Sequence, residues 1–386
     1  MSITQTTHRL RSLDVFRGFT IAAMVLVNNP GDWANIYAPL RHAVWHGWTF
    51  TDWIFPFFLF IVGVSMALSS MRAINAGAHK TALLLQLWRR ALVIIAIGLA
   101  LNFIPSFNFD TLRYPGVLQR IGLCIVIAAP MVLWWRARYQ CVAAVVLMVI
   151  YAALMLGLPV ADVTGVVSTG LLEPGRDTGA ALDRAVMAGH LWAQAKTWDP
   201  EGLLSSLPAV SSVLFGALVG HWLLADKPAA SKTAWMMVAG LMALWIGVVL
   251  DGLLMPINKS LWTPSYAVFM TGIALLVFAA CYWLIDACDD ELVRQRATWL
   301  AKPLEIYGVN ALFIFAFSGL VAKALGYFKV QAAQGNLVSV KVWLFNGLSH
   351  APLAPINVSL VFALLFNVLM FGVAWALWRN KIFIKV

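Results

Sequence analysis

The segment Arg41–Phe60, RHAVWHGWTFTDWIFPFFLF, sets His42 and His46 in a short polar, aromatic stretch that leads into a hydrophobic run opening with Asp52. Ionisable groups at the edge of so apolar a run are costly to keep there, which makes them functional-site candidates. His42 is the more economical chemical candidate, because an imidazole that titrates near neutral pH can accept and return a proton. An interfacial histidine bonded to the backbone accounts for the same residue without any chemistry. His42 and His46 stand four apart and share a face if the stretch is helical. No Glu follows the first of them as a zincin helix would need, and no third ligand is near in sequence, so no metal is expected.

Other polar groups sit at the ends of apolar runs. Asp14 and Arg17 are three apart and can neutralise each other on one helix face. Arg89, Arg90, Gln119 and Arg120 head two apolar stretches, and with Arg17 they suit a phosphorylated cofactor at a cytoplasmic mouth, since arginine is the planar phosphate donor. Positive-inside topology produces the same pattern without a ligand. WDPEG brings Asp199 and Glu201 just ahead of another apolar run, and PINKSLW sets Asn258, Lys259, Ser260 and Trp262 ahead of the next. Carboxylates beside aromatics suit a sugar, above all an amino sugar whose ammonium a carboxylate can pair; helix capping by Asp199 or Ser260 explains them as well. Asn310 lies inside an apolar run and needs a hydrogen-bond partner there.

The elements that position these groups follow from composition. The chain has 386 residues, 61% hydrophobic and 11% charged, with a mean hydropathy of +0.82, far more apolar than a soluble domain. A hydrocarbon core about 30 Å thick takes roughly 20 apolar residues as helix. Ten stretches read as spanning helices, at 13–31, 52–71, 87–105, 118–135, 139–158, 203–225, 234–252, 264–285, 303–325 and 355–378. The expected fold is therefore all-α, a single polytopic domain over 1–386 with outer loops at 30–51, 159–202 and 326–354. The loop at 30–51, rich in Asn, Pro, Gly, Trp and Tyr, reads as a partly buried re-entrant or interfacial segment beside a cavity.

The N-terminus, MSITQTTHRLRS, shows no small-residue cleavage site and reads as leading into a first span, not a removed signal. Arg72, Lys80, Arg89, Arg90, Arg136, Arg138, Lys227, Lys232, Arg294, Arg296, Lys302, Arg379, Lys381 and Lys385 fall on the N-terminal side of the expected spans, which predicts both termini in the cytoplasm. The net charge of +10 reads as this topological bias plus attraction to membrane lipid, with no nucleic-acid partner. Cys124, Cys141, Cys281 and Cys288 lack zinc or redox spacing and read as apolar fillers.

The blocks LRSLDVFRGFTIAAMVLVNN, RHAVWHGWTFTDWIFPFFLF, LRYPGVLQRIG, DPEGLL, NKSLWTPSY and RNKIFIKV, in this order, resemble the membrane-embedded catalytic region of heparan-α-glucosaminide N-acetyltransferase and its bacterial relatives in the transmembrane acyltransferase group. The resemblance runs from about Leu10 to the C-terminus, without the N-terminal luminal domain and extra span of the lysosomal member. It implies a compact form in a bacterial inner membrane that passes acetyl from cytoplasmic acetyl-CoA to the amine of a glucosamine-type sugar outside, and a homodimer. By the same resemblance His42, within HAVW, matches the active histidine, Asn28 the loop asparagine and Asp52 the span-opening aspartate.

The implied roles are His42 as general base or acetyl carrier, Asn28 as oxyanion donor or as a partner holding His42, and Asp52 orienting the imidazole or pairing with the acceptor ammonium before its deprotonation. The expected cofactor contacts are Arg17, Arg89, Arg90, Gln119 and Arg120, and the expected acceptor contacts are Trp45, His46, Asp199, Glu201, Asn258, Lys259 and Trp262. His46 stands where the lysosomal enzyme has Asn. The outer loop at 159–202 diverges until DPEG, which leaves the acceptor open. Two other readings stay open: a secondary transporter of an amino sugar using Asp14, Arg120 and the loop histidines, and an acyltransferase that modifies an envelope polysaccharide.

Overall fold

The structure is a computed structural model that describes residues 10–332 and 335–384; residues 1–9, Lys385 and Val386 lie outside the described residues. It is mostly helical. The helices are α1 (Arg11–Asn28), α2 (Ile54–Asn75), α3 (Lys80–Phe103), α4 (Val117–Trp134), α5 (Ala137–Gly157), α6 (Thr178–Met187), α7 (Ser206–Leu224), α8 (Ala229–Leu253), α9 (Pro264–Tyr282), α10 (Glu291–Leu300), α11 (Lys302–Val309), α12 (Ala311–Tyr327), α13 (Val340–Leu348) and α14 (Pro355–Arg379). Two small antiparallel hairpins, β1 (Pro159–Ala161) with β2 (Val167–Thr169) and β3 (Lys329–Gln331) with β4 (Leu337–Ser339), lie in the two long connections.

All ten expected helices have counterparts, but fewer meet the demands of a span. Among the described residues eight helices are long and apolar enough to cross a membrane, or nine if α11 and α12 form one broken span. α1 is 18 residues long, and it carries Arg11, Asp14 and Arg17, so three charges fall within a single span length. The ninth expected helix is not continuous: it bends by 81° between α11 and α12. Asn310 sits at the break, where its side chain donates to the Ile382 carbonyl at 3.0 Å and accepts from the Ile384 amide at 2.8 Å. The polar group thus finds its partners on the C-terminal segment instead of on a neighbouring span. A further departure is α10, a charged helix in a connection expected to be short.

The direction of each helix follows from close contacts. A Cβ on Gly216 would come 2.1 Å from the Phe60 carbonyl oxygen, and one on Gly220, a turn further on, would come 2.9 Å from that of Val64. These small residues let α2 and α7 run parallel with their backbones nearly touching. α1 and α11 approach as closely through Gly18 and Gly308 but antiparallel. Arg120 at the start of α4 meets Gly202 and Ser205 just ahead of α7, and Tyr266 at the start of α9 donates to the Asp52 carbonyl at 2.6 Å. The starts of α2, α4, α7 and α9 therefore share one end of the bundle, with the connections 29–53, 158–205 and 254–263. The start of α1 and the end of α14 lie at the other. The core between them is dominated by Phe16, Phe57, Phe60, Phe278 and other fully buried apolar residues.

Of two charged expectations, one is met on this frame and one changes. Asp14 and Arg17 do pair, at 3.0 Å, and Arg17 also donates to Ser65 at 2.8 Å. Gln119 and Arg120, grouped on sequence with Arg89 and Arg90, begin a helix that runs the opposite way, so they lie at the histidine end and not at the mouth where Arg17 and Arg90 are found. Of the cysteines, Cys124 and Cys288 are buried, but Cys141 is exposed and fills nothing.

Candidate active site

Residues 41–49 are not helical, so His42 and His46 do not share a helix face. The loop is instead shaped by Asp52. Thr49 and Asp52 form a capping box at the short 3-10 turn Phe50–Trp53, which satisfies the backbone donors that a helix start leaves open. Asp52 Oδ2 accepts from the Ala43 amide at 3.0 Å, the Thr49 amide at 3.0 Å and the Thr49 hydroxyl at 3.1 Å. The Asp52 side chain is about 1% exposed, and a carboxylate so deep is stable only when hydrogen-bonded and paired.

Its second oxygen, Oδ1, lies 2.7 Å from His42 Nδ1 and 3.3 Å from Lys259 Nζ, while Lys259 Nζ is 2.9 Å from His42 Nδ1. Three polar atoms thus close a triangle. If Nδ1 carries its proton toward Asp52, the contact to Lys259 is met by the lone pair of an uncharged amine; if Lys259 is an ammonium, Nδ1 is bare and accepts from it. Burial pushes the Lys259 pKa below its ordinary value, against the opposing charges of Asp52 and Glu201. His42 Nε2 has no hydrogen bond among the described residues, and the ring is about half exposed. A ring fixed through Nδ1 and open at Nε2 is arranged as a general base or a nucleophile.

The loop 254–263 anchors this group. Its Ile257 carbonyl accepts from the Gly47 amide at 2.7 Å. Asn258, fully buried, takes the Leu261 amide on Oδ1 and approaches His46 Nδ1 with its Nδ2 at 3.4 Å. Trp262 is about 1% exposed, donates to Ser212 at 3.2 Å, packs on Phe55 and Tyr266 and lies under the Arg120 guanidinium. It also has a φ of +50°, a strained region for a bulky residue. Asn258 and Trp262 therefore build the loop and offer no surface to an acceptor.

Asp199 and Glu201 are likewise engaged. Arg113 grips Asp199 with two bonds, at 2.8 and 2.5 Å, and reaches Glu201 at 2.5 Å. Burial works against the Arg113 charge, but the two carboxylates outweigh it and raise its pKa. Asp199 is spoken for, whereas Glu201 still acts on Lys259 by its charge. Sequence reasoning did not single out Arg113; its only signal was the opposite charge of DPEG. Trp45 donates to the Leu172 carbonyl at 2.7 Å and stands edge-on to Trp198, which meets Trp192. Ser260 caps no helix; Thr263 caps α9. Asn28 is exposed at the end of α1 and makes no hydrogen bond to His42, Asp52 or Lys259 among the described residues.

At the opposite end, Arg17, Ser65, Ser69 and Arg90 border a cavity of about 670 Å³ that is otherwise lined by apolar residues of α2, α3, α4, α11 and α12 and by Phe383 and Ile384. Arg89 is exposed and outside that lining. From Ser69 to Phe58 the cavity follows α2 for about 16 Å, leaving about 9 Å of chain rise to Asp52. Ile121, at its head, adjoins Arg120. Arg120 is about 2% exposed, and its Nε and Nη1, like Gln119 Nε2, are buried donors without a partner among the described residues. The cavity joins a cationic mouth to an apolar shaft that ends below the histidine cluster, which fits a ligand with an anionic head and a slender arm.

A family profile described as "Heparan-alpha-glucosaminide N-acetyltransferase, catalytic" matches residues 9–180. The heparan-alpha-glucosaminide N-acetyltransferase of Homo sapiens is 27% identical over 356 residues, covering 80% of this chain and 52% of the human protein. That of Mus musculus is 28% identical over 364 residues, covering 80% and 53%. The chain thus spans about half the length of these curated relatives.

Proposed function

We propose, from its similarity to the heparan-α-glucosaminide N-acetyltransferases, that the chain is a multi-pass N-acetyltransferase of a bacterial plasma membrane. It takes acetyl from cytoplasmic acetyl-CoA and gives it to the amine of a glucosamine-type sugar on the other side. The observation that carries the reading is His42, held through Nδ1 by a buried carboxylate and open at Nε2.

The geometry supports each step. The nucleotide end of acetyl-CoA is too charged for hydrocarbon and stays at the mouth with Arg17 and Arg90, where arginine suits phosphate. The basic residues of that end, Arg72, Lys80, Arg136, Arg138 and Arg379 among them, favour the cytoplasmic side. The slender arm follows the shaft toward Arg120, whose open N–H groups, with Gln119 Nε2, suit carbonyls of that arm. At the head, a neutral acceptor amine attacks the thioester carbonyl, the carbon–sulfur bond breaks, His42 Nε2 takes the proton the nitrogen sheds and returns it to the departing sulfur, and Asp52 stabilises the imidazolium in between. A route through acetyl-His42 uses the same geometry, with Nε2 as nucleophile.

The test uses sealed vesicles that contain the protein and acetyl-CoA inside and glucosamine outside. The reading expects N-acetylglucosamine outside and no glucosamine accumulated inside. Uptake of glucosamine without acetylation makes the protein a transporter and overturns it. Transfer only to polysaccharide acceptors from the same vesicles moves the activity to the envelope.

A further inference from the structure

We propose that Lys259 is a self-acetylation site: when no acceptor is bound, its Nζ receives the acetyl group meant for the sugar. The inference rests on the N-acetyltransferase reading above and deepens it.

An enzyme that acylates primary amines beside a histidine has built one primary amine into the same triangle, 2.9 Å from His42 Nδ1 and 3.3 Å from Asp52 Oδ1. The Lys259 side chain is 22% exposed, so it is neither sealed in the core nor free in solvent. When Nδ1 donates to Asp52, the arrangement that leaves Nε2 open as base, the contact to Lys259 is satisfied only by an uncharged amine, which is the nucleophilic form. The burial that disfavours its charge works in the same direction. Of the other lysines at this end, Lys196 and Lys329 are exposed, Lys323 donates to the Ile104 carbonyl at 2.9 Å, and Lys341, part-buried beside Asp32, makes no hydrogen bond to a histidine among the described residues.

The step balances without any further reagent. Nζ turns from Nδ1 to the thioester held beside Nε2, its lone pair forms a bond to the carbonyl carbon, the carbon–sulfur bond breaks, and Nε2 takes the proton shed by Nζ and gives it to the departing sulfur. The products are N-acetyl-lysine and the free thiol of CoA, with nothing oxidised or reduced. The new bond is an amide, a far weaker acyl donor than a thioester, so the group is trapped. Acetyl-Lys259 carries no charge to Asp52 and places extra bulk beside His42. Protein exposed to donor alone should therefore lose activity, and bound sugar should protect it.

The experiment incubates the purified full-length chain in lipid nanodiscs with acetyl-CoA, with and without glucosamine, and maps acetyl groups by peptide mass spectrometry while measuring sugar acetylation in the same sample. The expected result is acetyl on Lys259 without sugar, suppressed by sugar, and lost in both His42→Ala and the bulkier His42→Gln, with Lys196 and Lys329 equally marked in all three proteins. Sugar acetylation with Lys259 untouched overturns the inference and leaves the enzyme reading standing. Equal marking of Lys259 in the His42 variants also overturns it, since the modification is then uncatalysed. Failure to acetylate either amine removes both.

Discussion

At the histidine end a single carboxylate, Asp52, is wrapped by two amides, a hydroxyl, an imidazole and a lysine, whereas at the arginine end Arg17 and Arg90 border an open cavity of about 670 Å³. The first is set by the fold before any ligand arrives, and the desolvation of its charges is offset within the protein. The second holds Arg90 at a mouth with room for an anionic ligand, beside Arg17, which is paired with Asp14. Chemistry that needs fixed geometry and binding that needs room are thus assigned to opposite ends of one bundle, joined by the shaft along α2.

The sharpest way to break this division is at His42. His42→Ala should lower acetyl transfer by about 10²–10⁴-fold, the range for a lost acid–base group, while the thermal shift given by acetyl-CoA is retained. Loss of both together would mean that the two ends do not act separately. Next is the clamp behind the histidine loop. Arg113→Met leaves Asp199 and Glu201 buried without their cation, and should cost about 3–5 kcal/mol, read as a lowered unfolding midpoint.

The same end should also respond to pH through Asp183, whose carboxyl accepts the Leu203 amide at 2.9 Å and whose pKa burial lifts from 3.8 to about 6. Below pH 3.8 the group is protonated in both the folded and the unfolded chain, and its full contribution is present. As pH rises toward 6 the unfolded chain ionises first, so stability should fall by about 3 kcal/mol across that window. Asp183→Asn should flatten the profile of melting temperature against pH, and an unchanged profile would show that the group is better solvated than its surroundings indicate. The smallest effect belongs to the arginine end. Arg90→Gln should raise the KM for acetyl-CoA about tenfold, about 1.4 kcal/mol, with kcat unchanged; a fall in kcat instead would tie that arginine to the chemistry.

The two ends were unequally legible in the sequence. His42 and Asp52 stood out because charged and titratable groups are rare beside so apolar a run, and the helices followed from hydropathy. The direction of α4 was also implicit in the count of spans, yet a local reading groups Arg120 with Arg90, because proximity in type is visible and position across a bilayer is not. Asp199 and Glu201 looked available because their cation, Arg113, is 86 residues away from Asp199. Trp262 looked like a sugar platform, but its left-handed backbone turns the ring inward. The break at Asn310 depends on a chain segment 72 residues further on, which no local pattern reveals.

The division of labour is tested most directly by a cryo-EM map of the protein with bound acetyl-CoA. The account predicts the nucleotide beside Arg17 and Arg90, the arm along α2, and the acetyl group within reach of His42 Nε2. Density for the acetyl end that stops in the cavity near Phe58, or a nucleotide seated at the histidine end, would contradict it.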